Sequence, residues 1–208
     1  DVRLVGSEMC IRDRLHRACE MNKVSILDTL LLSLHVNENL ETKHGRGTPL
    51  MIACVKGHTD CVSVLLGPLI RTNVNAVNNE GVTALHIASQ YNNASCIPLL
   101  IDGGADVNAV DNNGYTALHI ASGRNSASCI PLLIDGGADV NAVSNNGYTA
   151  LHVASQHNSA SCIPLLIDGG ADMNAVNNEG WTALHAASGY NSASCIPLLI
   201  DGGADVNA

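Results

Sequence analysis

A spacing of 33 residues recurs along most of this chain and constrains its fold more than any other property. Thr83, Thr116, Thr149 and Thr182 fall at that interval, as do His86, His119, His152 and His185. Cys96, Cys129, Cys162 and Cys195 follow the same rule, and so do Pro98, Pro131, Pro164 and Pro197. Each repeat opens like Asn112-Asn113-Gly114-Tyr115-Thr116-Ala117-Leu118-His119-Ile120-Ala121-Ser122. It continues like Cys129-Ile130-Pro131-Leu132-Leu133-Ile134-Asp135-Gly136-Gly137-Ala138-Asp139-Val140-Asn141. A module this short cannot bury its apolar face alone, so stacked neighbours must supply the core.

The residues predict a helix pair in each repeat. Asn113-Gly114 suits a tight hairpin turn, because both residue types tolerate φ > 0. Thr116 fits an N-cap whose hydroxyl accepts a bond from the first helical turn. Leu118 and Ala121, three apart, share one face of a short first helix. Asn125 suits a left-handed helix end. Ser128 or a neighbour opens a second helix, and Pro131 falls in its first turn, where a missing N–H matters least. Ile130, Leu133 and Ile134 make its apolar stripe, and Gly136-Gly137 stops it.

These residues resemble the ankyrin repeat family, whose Thr-Pro-Leu-His opening stands here as Thr-Ala-Leu-His and, in an older-looking copy, as Thr48-Pro49-Leu50-Met51. The resemblance covers residues 15–208 and implies an all-α ankyrin-repeat solenoid of helix-turn-helix repeats with short β-hairpin fingers. Six repeats are expected, over about 15–44, 45–77, 78–110, 111–143, 144–176 and 177–208. In this family the motif His braces the loop and the adjacent repeat, which assigns a structural role to His86, His119, His152 and His185. Met51 removes that bond from the second repeat. Leu65-Leu66-Gly67-Pro68-Leu69-Ile70-Arg71-Thr72-Asn73 is two residues longer than its siblings, so a bulge is expected after the second helix. The segment from Leu100 to Asn108 is also similar to the one whose Asn is hydroxylated in some ankyrin proteins; whether that happens here depends on the host.

Residues 1–14 are set apart from the fold. Leu4-Val5-Gly6-Ser7-Glu8-Met9-Cys10-Ile11-Arg12-Asp13 resembles, codon by codon, a translated adapter from transposase-based sequencing libraries, and Arg14 completes it. The expectation is a sequencing artefact rather than native chain, with the repeat array cut at both ends; such a segment is excluded from fold reasoning.

Composition and spacing argue against catalytic, metal, nucleic-acid and membrane roles. With 10 Lys+Arg against 19 Asp+Glu, a net charge of −9 and no Phe, neither phosphates nor unstacked bases have a partner, which argues against nucleic acid. The longest apolar run falls short of the ~20 residues that span a bilayer. The run Ile26 to Leu34 contains Asp28 and aligns with a second helix, so it is core. Equivalent His residues lie a layer apart, about 10 Å, whereas zinc draws its ligands to roughly 2.0–2.3 Å. The repeated Cys residues are likewise beyond the ~7 Å Cα separation a disulfide needs. Buried free thiols fit a reducing intracellular compartment, cytoplasmic or nuclear. Ser, His and Asp recur in every repeat, as scaffolding does, so no catalytic, cofactor or metal residues are assigned.

Function is read from what differs between near-identical repeats. After the hairpin glycine stand Val82, Tyr115, Tyr148 and Trp181; at the end of the first helix stand Tyr91, Arg124, His157 and Tyr190. Hairpin tips and the exposed face of the first helix line the concave groove of ankyrin folds, where the family binds proteins. These eight residues are therefore the expected protein-binding positions, in keeping with the use of Tyr, Trp and Arg as interface anchors. Drift at exposed sites is the competing reading. The acidic rows Asp102, Asp135, Asp168 and Asp201 read first as a solvated face. The expectation is a monomeric, non-catalytic scaffold for an unidentified protein. The alternative is the targeting region of a larger enzyme or channel.

Overall fold

The computed structural model describes residues 13–34, 47–68, 70 and 72–208. Residues 1–12 of the suspected adapter, the junction of the first two repeats, and residues 69 and 71 of the predicted bulge lie outside the described residues; residues 13–14 of the suspected adapter are described, at the start of a helix. Among the described residues the regular structure is helical. The helices are α1 (13–20), α2 (Val24–Leu34), α3 (Pro49–Lys56), α4 (Thr59–Leu65), α5 (Ala84–Gln90), α6 (Cys96–Asp102), α7 (Ala117–Gly123), α8 (Ile130–Asp135), α9 (Ala150–Gln156), α10 (Ile163–Asp168), α11 (Ala183–Gly189) and α12 (Ile196–Asp201). They fall into two compact units. One ends at Ala88 and resumes over Ser95–Asp106; the other comprises Ser89–Ala94 and Val107–Ala208.

In the first unit α4 packs against α2, α3 and α6. Leu27, Leu30 and Leu31 of α2 are buried while Ile26 and Asp28 face solvent, so the predicted core run contributes one helix face to the core and begins after Ile26. Thr48 caps α3, its hydroxyl accepting the Met51 N–H at 3.4 Å. Met51 is buried and its thioether cannot return the bond, so this cap works in one direction only.

In the second unit α7, α9 and α11 lie side by side, and α8, α10 and α12 form a second layer beneath them. Helices of six or seven residues do not persist alone, so packing holds them. Each first helix begins in a reciprocal cap. Thr116 Oγ1 accepts from the His119 N–H, and His119 Nδ1 accepts from the Thr116 N–H at 3.2 Å; Thr149/His152 and Thr182/His185 repeat the arrangement. Here His fills the place that Glu or Gln takes in the common capping box. α7 ends as predicted: Asn125 is left-handed (φ 54), with its N–H on the Ser122 carbonyl and the Ser126 N–H on that of Ala121.

The second helices open at the expected Ser or its neighbour: Ser95 is the N-cap of α6, whereas Cys129 is that of α8, without a side-chain bond, and Pro131 follows in the first turn. The paired glycines that stop them divide two tasks. Gly137 has φ 93, which an L side chain rarely adopts. Gly169, the first of its pair, gives room instead: a Cβ there would lie 2.6 Å from Ile134 Cδ1 of the preceding repeat.

The fingers are hairpin-like turns rather than regular strands among the described residues. In Asp111–Tyr115 the Gly114 N–H reaches the Asp111 carbonyl and the Asp111 N–H that of Tyr115. Only Gly114 takes positive φ (79); Asn113 does not. The Asp111 carboxylate accepts the N–H groups of Asn113 and Tyr115 at 2.8 and 2.9 Å, which lets an ordinary turn followed by one left-handed glycine close the finger.

Candidate functional site

His119 and His152 are committed to holding layers together. With Nδ1 accepting from Thr116, the ring proton of His119 sits on Nε2, which donates to the Tyr148 carbonyl of the next repeat at 2.8 Å. His152 donates likewise to the Trp181 carbonyl at 2.8 Å. Burial lowers the His152 pKa below the ordinary imidazole value, and its bonds to the Trp181 and Ala175 carbonyls only partly offset this. A neutral imidazole with both nitrogens engaged has no lone pair left for a metal.

Side-chain ties run between repeats elsewhere too. Asn108 Nδ2 donates to the Gly137 carbonyl while its Oδ1 accepts the Asp139 N–H at 2.8 Å; Asn141 does the same toward Gly170 and Asp172. Sequence reasoning missed a third tie, from each second-helix thiol to the left-handed Asn of the repeat before. Cys129 donates to Asn92 Oδ1, Cys162 to Asn125 and Cys195 to Asn158, at 3.6–3.7 Å. Its signal was the fixed Asn-to-Cys interval across repeats, which periodicity alone does not distinguish from two independent constraints. Cys61 and Asn22 make the same contact in the first unit at 3.3 Å.

The described thiols are buried and outside any disulfide. Burial, reinforced by neighbouring sulfurs, pushes Cys19 and Cys162 up to about 12. Because a reagent must reach the sulfur and the described thiols are all buried, a Cys10→Ser chain should leave a disulfide reagent at pH 8 essentially unconsumed while folded. The same chain should titrate fully in urea, and prompt reaction of the folded chain would contradict this burial.

The eight predicted binding positions lie at the surface or only partly below it. Tyr91, Arg124, His157, Trp181 and Tyr190 are exposed, with Trp181 at 36% and Tyr190 at 52%; Val82, Tyr115 and Tyr148 are half-buried. Val82 belongs to the first unit and the other seven to the second. The Tyr115 and Tyr148 rings lean on His119 and His152, with centroids 5.4 and 5.7 Å apart. Burial, followed by the nearby Tyr148 and Asp111, raises the Tyr115 pKa.

Three of the eight meet at one place. A pocket of about 240 Å³ opens between α7 and α9, lined by Tyr115, His119, Ile120, Gly123, Arg124, Val153 and His157. Tyr91, Tyr148, Trp181, Tyr190 and Val82 lie outside it. Gly123 forms part of its wall, where a Cβ would come within 3.0 Å of Val153 Cγ1 and 3.5 Å of the His157 ring; Gly189 gives similar room to the Trp181 ring, at 3.2 Å. Both glycines thus answer to close approach. The neighbouring series Ile87, Ile120, Val153 and Ala186 runs inward, with Val153 and Ala186 buried.

A stack of short helix pairs, bound by recurring polar ties and carrying its variable residues on finger tips and first helices, defines a helical repeat protein. The family profile "Ankyrin repeats (3 copies)" matches residues 15–111, 68–144, 92–177 and 124–208. The chain belongs to the ankyrin-repeat family, whose repeats are protein–protein interaction modules. It is similar to "Tyrosine-protein kinase HTK16" of Hydra vulgaris, 34% identical over 93 residues, covering 44% of this chain and 12% of that protein. It is also similar to "Glycerophosphocholine phosphodiesterase gde1" of Schizosaccharomyces pombe (strain 972 / ATCC 24843), 35% identical over 102 residues, 47% of this chain and 9% of that protein. The chain thus spans about a tenth of the length of either relative. No helix among the described residues is long and apolar enough to cross a membrane.

Proposed function

We propose that this chain is a non-catalytic scaffold that holds a partner protein across its finger tips and first helices. The observation that supports this most is the division of labour between positions. Thr, His, Asn and Cys at fixed positions are spent on bonds within and between repeats, whereas the aromatic and basic residues that change from repeat to repeat are exposed or only partly buried. Aromatic and Arg side chains presented on a pre-formed surface bind with little ordering cost. The test is whether peptides selected on the full chain from a displayed library lose their hold when Trp181 and Tyr190 are cut back to Ala while unfolding stays put. Undiminished binding would refute the reading.

A second reading follows from the relatives: the repeats serve as the targeting region of a larger enzyme. Both relatives carry enzyme names and match this chain over only 12% and 9% of their length. The complete reading frame discriminates between the two, since a catalytic domain in the same frame favours targeting and further repeats alone favour the scaffold.

A further inference from the structure

We propose that the pocket between α7 and α9 is an anion-reading subsite, which takes a single Asp or Glu carboxylate of the partner segment beside an apolar side chain. This rests on the scaffold reading and goes beyond it by naming what the partner must carry.

The argument starts from an imbalance of charge. Between residues 72 and 208 the sequence holds one residue of the Lys/Arg type, Arg124. Over 107–208 that cation stands against eight acids: Asp111, Asp135, Asp139, Asp168, Asp172, Glu179, Asp201 and Asp205. The one permanent positive charge of this stretch is thus on the wall of the pocket, and His157 lies on the wall with it. No carboxylate lines the pocket. Asp111, four residues before the lining Tyr115, already accepts from two backbone N–H groups of its own finger.

Helix electrostatics do not account for Arg124 by themselves. It occupies the C-cap of α7, where a cation is favoured, but the equivalent caps of α9 and α11 are His157 and Tyr190, and those helices form equally well. The apolar part of the wall, Ile120 and Val153 with the half-buried Tyr115, suits an aliphatic or aromatic neighbour of the carboxylate. A guanidinium pairs with a carboxylate through two parallel N–H donors, a geometry an ammonium does not reproduce. The surrounding acids repel a strongly acidic segment at long range, so the partner carries one carboxylate in an otherwise neutral or basic stretch.

The experiment selects random dodecapeptides displayed on phage against the full chain. Recovered sequences should share one Asp or Glu adjacent to a branched or aromatic residue. Amidating it, as Asn or Gln, should weaken binding about tenfold, and Arg124→Gln should do the same, with no further loss when both changes are combined. Arg124→Lys should recover only part of the loss, and Arg124→Glu should invert selection toward Lys or Arg. Peptides with no acidic preference, or an acidic preference that survives Arg124→Gln, would overturn the subsite. Peptides that ignore Arg124 yet release on Trp181→Ala and Tyr190→Ala would sink the subsite and spare the scaffold reading. Recovery of no binder, or binders indifferent to every one of these substitutions, would sink both.

Discussion

Replacing His152 with Ala should lower the unfolding free energy by about 2–4 kcal/mol, because the Thr149 N–H and the Trp181 carbonyl both lose their partner, at about 1–3 kcal/mol for each group left unsatisfied. The same substitution at His185 should lose only about 1 kcal/mol, the usual value of a helix cap. His185 keeps the bond to its own Thr182, but its ring is exposed. Two identical changes at equivalent motif positions thus separate the inter-repeat tie from the cap. Urea unfolding followed by the same probe in both variants measures the difference, and equal losses would mean that the carbonyl bond contributes nothing. A pH dependence accompanies it. The folded pKa of His152 lies below the unfolded value of about 6.5, so the unfolded chain binds the proton first on acidification. Stability from this group is complete above about pH 6.5 and is lost as the pH falls from there toward the folded pKa. His152→Ala should flatten that part of the profile.

Cutting back Tyr115, Tyr148, Trp181 and Tyr190 to Ala together should weaken binding of a selected peptide at least a hundredfold, since anchors of this type contribute about 2 kcal/mol or more each. The four should differ in what they do to folding. Trp181→Ala and Tyr190→Ala remove exposed rings, and the melting temperature should hold within about 3 °C, the range expected of changes worth under 0.5 kcal/mol. Tyr115→Ala and Tyr148→Ala also remove a ring that leans on a buried His, a contact worth about 0.5–1.5 kcal/mol, so these two should unfold slightly sooner. Single-residue affinities beside single-residue melts decide the matter. A strict proportionality between lost binding and lost stability would show that the rings belong to the core and bind nothing.

Much of the fold was legible because each repeat states its own boundaries. Thr at the N-cap, Asn at the left-handed end, Pro in the first turn and paired glycines at the stop are local signals whose physics does not depend on what packs beyond them. The Asn113-Gly114 pair predicts positive φ at both residues, one more than the turn needs. The Asp111 carboxylate organises the finger, so the asparagine keeps an ordinary φ and the glycine alone takes the positive one. What the sequence could not show is which identical residues point at one another. The thiol of Cys162 and the amide of Asn125 are both invariant among the close repeats, and invariance does not say that one donates to the other. The pocket was half-visible: Tyr115, Arg124 and His157 were each picked out as variable, but that only these three of the eight share a wall depends on the approach of α7 to α9 past Gly123.

Amide hydrogen exchange of the full chain, with and without a bound peptide, tests the binding surface without altering it. Slowed exchange should appear in the fingers and at the ends of the first helices, over 111–124, 144–157 and 177–190. The second helices α8, α10 and α12 should exchange as they do in the free chain. Protection concentrated on those second helices instead would place the partner on the opposite layer and contradict the account.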